Sequence, residues 1–210
     1  MKFKKAFKET LPILISYYFL SFSFGVLGIK LGVNPYLLIL MSIIIYSGSL
    51  QFLLIAMYQK FSLFDIFVTS FLLNFRQFFY SLTFLERYRD SIYKIFALTD
   101  ETFAILSNKE SDSKFELYVS MLNHIYWIIG TISGVVFAQY VDFKLKGLDF
   151  ILIALFVVII VDDFMKTKKF FPLILGGVSF YIFYYLGVNN SLIFSILFAF
   201  SIITIRNKYD

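Results

Sequence analysis

No cysteine occurs among the 210 residues, so neither a disulfide nor a thiolate nucleophile is available. There is one histidine, which argues against a metal centre and against a relay of imidazoles. Any protonatable group at depth must then be a carboxylate or a tyrosine. Charge is scarce: 16% of residues are Asp, Glu, Lys or Arg, against about 25% in soluble domains. The patterns H-E-x-x-H, G-x-S-x-G and G-x-x-x-x-G-K-[ST] are missing, which removes the usual metalloprotease, hydrolase and nucleotide-binding chemistries and speaks against an enzyme. No cofactor or metal site is expected. No period-two alternation is sustained, which excludes a transmembrane β-barrel.

What is present is apolar. Hydrophobic residues make up 60% of the chain, 29 residues are Phe, and the mean hydropathy is +0.80. Several apolar runs exceed the length of about 18 residues that reads as a spanning helix. The fold class is all-α, a polytopic membrane helical bundle of about seven or eight membrane segments, one or two of them broken or re-entrant. The net charge of +5 sits at run ends, as in loops facing the cytoplasm, so the surface partner is membrane lipid and not nucleic acid. The lysines at 2, 4, 5 and 8 precede an apolar run continuing to Leu31 with no cleavage signature, which reads as a retained first span with Pro12 in its first turn. A single membrane domain, 1–210, is expected, with possible halves 1–107 and 115–210 joined by the polar loop 108–114.

Spans are expected over about 11–31, 36–57, 62–85, 115–140, 148–161, 170–186 and 191–205, with the shorter, more polar stretch 92–107 crossing or re-entering. Eight crossings follow if 92–107 spans. Six follow if both 36–57 and 92–107 fall short; the charged loop Glu86–Asp90, placed on the cytoplasmic side, favours six, and the length of 36–57 favours eight. Ser21, Gly25, Gly28 and Gly32 share one helix face, as do Gly130 and Gly134, and small residues so spaced let helices approach closely. Leu31-Gly32-Val33-Asn34 is echoed by Leu186-Gly187-Val188-Asn189, a hint of the internal duplication common in transporters.

The candidate site residues are polar groups at depth, where each charge costs about 2.5–3.5 kcal/mol on insertion scales. Arg76 lies well inside the run from Phe61 to Phe84, with Asn74, Gln77 and Tyr80 on neighbouring helix faces. Ser47, Gly48 and Gln51 lie in the middle of 36–57, where the helix either breaks or packs closely. Thr99 suits an N-cap with Asp100 and Glu101 in the first turn. The alternative is that one acid pairs with Arg76 or carries a proton. Trp127 is too deep for an interfacial belt, and His124 reads as a hydrogen-bonded packing residue.

Taken in order, Ser47-Gly48-xx-Gln51-Phe52, Asn74-x-Arg76-xxx-Tyr80-Ser81, Leu98-Thr99-Asp100-Glu101-Thr102-Phe103, Tyr126-Trp127-xx-Gly130 and Gly147-Leu148-Asp149-Phe150 resemble the AzlC family of branched-chain amino-acid permeases. The family usually has His after the Arg, where this chain has Gln77, and the last third matches in hydropathy alone. The resemblance implies the large subunit of a two-component exporter of valine, leucine and isoleucine. It also implies a small AzlD-like membrane subunit, proton-motive drive and a multi-pass place in the bacterial inner membrane. A zwitterionic substrate needs a donor for its carboxylate (Arg76 or the helix N–H groups near Gly48), an acid for its ammonium (Asp100 or Glu101) and an apolar wall including Trp127. A channel-like pore or a non-transporting membrane scaffold is the alternative.

Overall fold

The computed structural model describes residues 2–58, 62–88, 91–107, 112–141, 157, 160–161, 164–165, 168–188 and 191–209, with 76, 79, 192, 193 and 207–209 described by backbone alone. The described residues form helices joined by short turns: α1 Lys2–Lys30, α2 Pro35–Ile44, α3 Gly48–Met57, α4 Leu63–Phe84, α5 Ile92–Phe96, α6 Asp100–Ser107, α7 Ser113–Tyr140, α8 Phe170–Tyr185 and α9 Ser191–Tyr209. The span expected over 148–161 lies outside the described residues apart from 157, 160 and 161. Two compact units result, Met1–Lys60 with Ser70–Lys146, and Phe61–Thr69 with Gly147–Asp210.

The first unit is built on the contact of α1 with α7. The two helices run parallel. Phe3 meets Tyr118 near their starts, Thr10 bonds Tyr126 at 3.1 Å, and Phe22 meets Phe137 further along. Glycines permit the approach. A Cβ on Gly25 would stand 2.6 Å from the Thr131 carbonyl oxygen, and one on Gly134 would overlap the Phe22 carbonyl. Ser21, Gly25 and Gly28 therefore form the packing face expected of them. Gly32 does not. It has φ +79° and open space around it, and its N–H and that of Val33 bond back to Ile29 and Gly28. This is a Schellman cap, in which glycine takes the left-handed position. Gly187 (φ +65°) closes α8 with the same pair of bonds, to Tyr184 and Phe183. The echo between 31–34 and 186–189 thus carries one capping chemistry at both places.

Pro12 lies inside α1, not in its first turn, because the helix starts at Lys2. Lys2–Thr10 is amphipathic enough to be held: Ala6 and Thr10 are fully buried, and Lys2 pairs with Asp112 at 2.9 Å. The Lys2 ammonium holds the exposed Asp112 carboxyl below its ordinary range, so that pair is lost as pH falls through the lowered value. At 1.5 Å per residue the 29 residues span about 43 Å, longer than a hydrocarbon core of about 30 Å. One apolar residue per turn (Phe3, Phe7, Leu11, Ile15, Phe19) faces outward, as do Met121, Ile125, Ile129 and Val136 on α7. Such stripes need lipid or protein to cover them.

Residues 36–57 and 92–107 each form a helix pair that turns back halfway. Going along α2, Leu38 packs on Gly28 of α1, Ser42 bonds Thr131, and Tyr46 reaches Tyr17. α3 then climbs again, bringing Phe52 to Phe24. From the other end, Lys94 starts beside Glu116, Thr99 reaches Tyr17, and Leu106 returns to the level of Glu116 through Arg87. Ten-residue α2 and α3 are each about 15 Å long, half a membrane. Two half-length hairpins thus enter from opposite ends and meet at 45–47 and 97–99.

In the second unit α8 and α9 are antiparallel, with Phe183 against Phe194 and Phe198 and Arg206 stacked over Phe171 at 4.2 Å. The start of α4 is closed by a reciprocal capping box: Asp65 N–H donates to Ser62 Oγ at 3.2 Å, and Ser62 N–H to Asp65 Oδ2 at 3.3 Å.

Gly134→Leu should lower thermal stability in detergent by at least about 2 kcal/mol, because the overlap is with backbone. Gly32→Ala, with nothing to clash against, should still cost about 1–2 kcal/mol through its left-handed backbone. Unchanged melting of both variants would contradict this account of α1.

Candidate functional site

The two hairpin tips lie between α1, α4 and α7. Tyr46, at the first tip, has φ +42°, a conformation that costs a non-glycine residue about 1–3 kcal/mol and that collects at functional sites. The break displaces the helical bond pattern: Tyr46 N–H bonds Met41, five residues back, instead of Ser42. The Ser42 carbonyl is taken up by His124 Nε2 at 3.2 Å, and His124 Nδ1 lies 3.1 Å from the Tyr93 hydroxyl. His124 is therefore bonded at both nitrogens, and the Tyr46 ring packs on it at 4.3 Å.

A second set of bonds fixes the beginning of α3. Trp127 Nε1 donates to Gln51 Oε1 at 2.9 Å, Gln51 Nε2 donates to Ser42 Oγ at 2.9 Å, and Ser42 Oγ lies 2.8 Å from Thr131 Oγ1. Gln51 is fully buried. Gly48 is needed because the Trp127 ring lies across it, where a Cβ would come within 2.7 Å. Ser47 precedes α3 without capping it, and donates instead to Asn74 Oδ1 of α4 at 2.9 Å, with Gln77 Nε2 3.5 Å away. The first N–H groups of α3 thus point into the middle of the bundle with no cap from Ser47, and a helix start of this kind favours an anion.

The second tip is organised by Thr99, whose Oγ1 accepts the Thr102 N–H at 3.4 Å at the start of α6. Tyr17 of α1 reaches in, its hydroxyl 2.7 Å from Thr99 Oγ1 and 2.5 Å from Glu101 Oε2. Thr102 Oγ1 is 3.0 Å from Thr99 Oγ1 and accepts from Asn123 Nδ2 at 3.0 Å. Tyr17, Thr99, Thr102 and Asn123 are buried, while Glu101 is exposed within the described residues. The Tyr17 ring also meets Trp127 edge-on at 5.2 Å, linking the two tips.

The residues singled out in the sequence thus fall into neighbouring groups. Gln51, Gly48 and Trp127 form one contact, Ser47 and Asn74 another, Thr99 and Glu101 a third with Asp100 beside them in the first turn of α6. Tyr80 stacks on Phe103 at 4.3 Å, supporting α6 from α4. Arg76 occupies α4 between Asn74 and Gln77, and its side chain lies outside the description, so the expected pair with Asp100 or Glu101 does too.

Sequence reasoning missed Tyr17, Tyr46, Thr102 and Asn123. Asn123 was findable as an amide within an apolar helix; the tyrosines were masked by 13 others. It also missed a buried ion cluster. Glu116 Oε1 accepts Arg87 Nε at 2.8 Å, and Glu116 Oε2 accepts Lys94 Nζ at 3.0 Å. Lys94 also donates to Ser113 Oγ at 2.8 Å and lies over the Tyr88 ring. Lys94 and Glu116 are only 4% and 2% exposed, so the cluster ties the base of the second hairpin to the start of α7. Glu116→Gln should cost about 3–5 kcal/mol by leaving Lys94 buried without its counter-charge, and the double change with Lys94→Met should recover much of it. Equal melting shifts in Glu116→Gln and the double variant would refute this.

The sequence model of the AzlC protein family matches residues 12–141. The branched-chain amino acid transport protein AzlC of Bacillus subtilis is 31% identical over 98% of this chain and 85% of its own length. An uncharacterized membrane protein of Helicobacter pylori is 34% identical over 80% and 78%, and the inner membrane protein YgaZ of Escherichia coli 28% over 80% and 75%. No solved structure matches.

Proposed function

The chain belongs to the AzlC family, and from that premise we propose that it exports valine, leucine and isoleucine across the bacterial inner membrane. Export is coupled to protons and carried out with a small AzlD-like membrane subunit. The name of the Bacillus relative supports the substrate class. The observation that carries the mechanism is the meeting of two half-length hairpins beside carboxylates at mid-depth. A broken helix presents its starting N–H groups to an anion without exposing them to lipid.

The substrate's carboxylate lies against the start of α3 near Gly48 or against Arg76. Its ammonium meets Asp100 or Glu101. Its branched side chain lies among the aromatic rings around Trp127. Ser47, Asn74, Thr99 and Tyr80 position these groups, and Gln51 acts by holding Trp127 and α2 in place. The lysine-rich start of α1 and the Arg87–Lys94 cluster share one end of the bundle, which the positive-inside rule assigns to the cytoplasm.

Cells lacking the gene and fed valine-containing dipeptides should accumulate valine, and co-expression with the small subunit should lower intracellular valine again. Unchanged valine on co-expression rejects the substrate. Replacing the coupling acid (Asp100→Asn or Glu101→Gln) should abolish proton-dependent efflux while the protein remains inserted. Full efflux in both variants rejects the acid assignment.

A further inference from the structure

The polar side chains at the second hairpin tip form a row whose hydrogens can be counted. Asn123 Nδ2 donates to Thr102 Oγ1 at 3.0 Å, and Tyr17 donates to Glu101 Oε2 at 2.5 Å. Between these ends Thr102 and Thr99 are 3.0 Å apart, and Thr99 and Tyr17 2.7 Å. Each hydroxyl has one hydrogen to give. That of Thr102 serves the first gap, that of Thr99 the second, and that of Tyr17 the carboxylate. The count closes with Glu101 ionised and leaves no hydrogen over.

Tyr46 stands beside this row and outside it. Thr99, Tyr17 and Glu101 are its polar neighbours, yet its hydroxyl oxygen is sealed from solvent and has no hydrogen-bond partner among the described residues. The residue is only 3% exposed, and the left-handed turn of the first tip places it there. With the hydrogens of the row committed, what the Tyr46 oxygen lacks is a donor. Glu101 lacks one too. Among the described residues its side chain has no hydrogen bond or ion pair beyond that of Tyr17 on Oε2, and the residue is exposed. A carboxylate oxygen and a phenol oxygen, one from each tip, thus want a group that only donates. A primary ammonium is such a group, with three donors, a positive charge and no acceptor. The rings of Tyr17, Tyr46 and Trp127 adjoin there, with Tyr17 6.5 Å from Tyr46 and 5.2 Å from Trp127, and ring faces attract a cation.

We propose that Glu101 and Tyr46 form the subsite for the primary ammonium of the substrate, with Tyr17 and Thr99 as positioning residues that hold the carboxylate in place. The inference rests on the amino-acid transport reading above and deepens it by choosing Glu101 from its two acids. Its two ligands belong to opposed hairpins, so the ammonium bridges the tips when it binds.

The full chain, purified from cells co-expressing the small subunit, is titrated with three ligands. These are valine, isobutylamine (valine without its carboxylate) and isovalerate (valine without its ammonium). Glu101→Gln keeps an oxygen for Tyr17 and removes the charge. It should weaken valine and isobutylamine by about tenfold and leave isovalerate unchanged. Tyr46→Phe removes an oxygen that bonds no other residue, so it should not lower the melting temperature. It should nevertheless weaken both ammonium ligands by about threefold or more. A merely structural role for Tyr46 would give the reverse. The proposal falls if Glu101→Gln weakens isovalerate as much as valine or leaves the ammonium ligands unchanged. It falls also if Tyr46→Phe leaves them unchanged, or if neither ammonium ligand binds. Isobutylamine held through Glu101 and Tyr46, with no binding of valine, would keep the subsite and overturn the branched-chain substrate reading instead.

Discussion

A backbone interrupted inside hydrocarbon must find partners for the N–H and C=O groups that the break sets loose, because no bulk water is there to take them. Much of the first unit answers that requirement. His124 takes the Ser42 carbonyl, Gln51 and Trp127 pin the start of α3 to α7, and Thr99 supplies the cap of α6. All but the cap depend on α7, and the place of α7 depends on the glycine-lined contact with α1. Close packing of two long helices is therefore the platform, and the two broken pairs are the elements it holds in shape.

The fold was legible where physics is local. Small residues every three or four positions announced a packing face on α1, Thr99-Asp100-Glu101 announced a helix start, and Ser47-Gly48 in an apolar run left a break and a closely packed helix equally open. Chain reversal was less legible. A run of 22 residues from Tyr36 to Met57 is as long as a full crossing, and only the tertiary contacts of Leu38, Tyr46 and Phe52 reveal that it turns back. Gly32 misled because capping and packing use the same residue: it continues the spacing of the packing face but sits one turn beyond it. The extension of α1 to Lys2 was hidden because lysines read as a flank, and their helix is fixed by Ala6, Thr10 and Asp112.

The site was legible as residue types and not as pairs. Gln51 and Trp127 are 76 positions apart, Tyr17 and Glu101 84, and no local pattern joins them. The Glu116 cluster shows the same limit. Each of its charges lies next to polar sequence and reads as a solvated end, yet Lys94 and Glu116 are among the most buried side chains in the unit. Burial came from the hairpin folding back over α7, an event that has no signature in either segment alone.

The opposed hairpins have an electrical consequence. Their tips bring polar and charged groups together where two half-length elements meet, inside the span across which the membrane voltage falls. A full crossing of 100 mV is worth about 2.3 kcal/mol per elementary charge. A charge carried past Thr99 and Tyr46 is therefore worked on by that voltage in proportion to the distance it travels along the membrane normal, which ties any movement of the tips to the membrane potential.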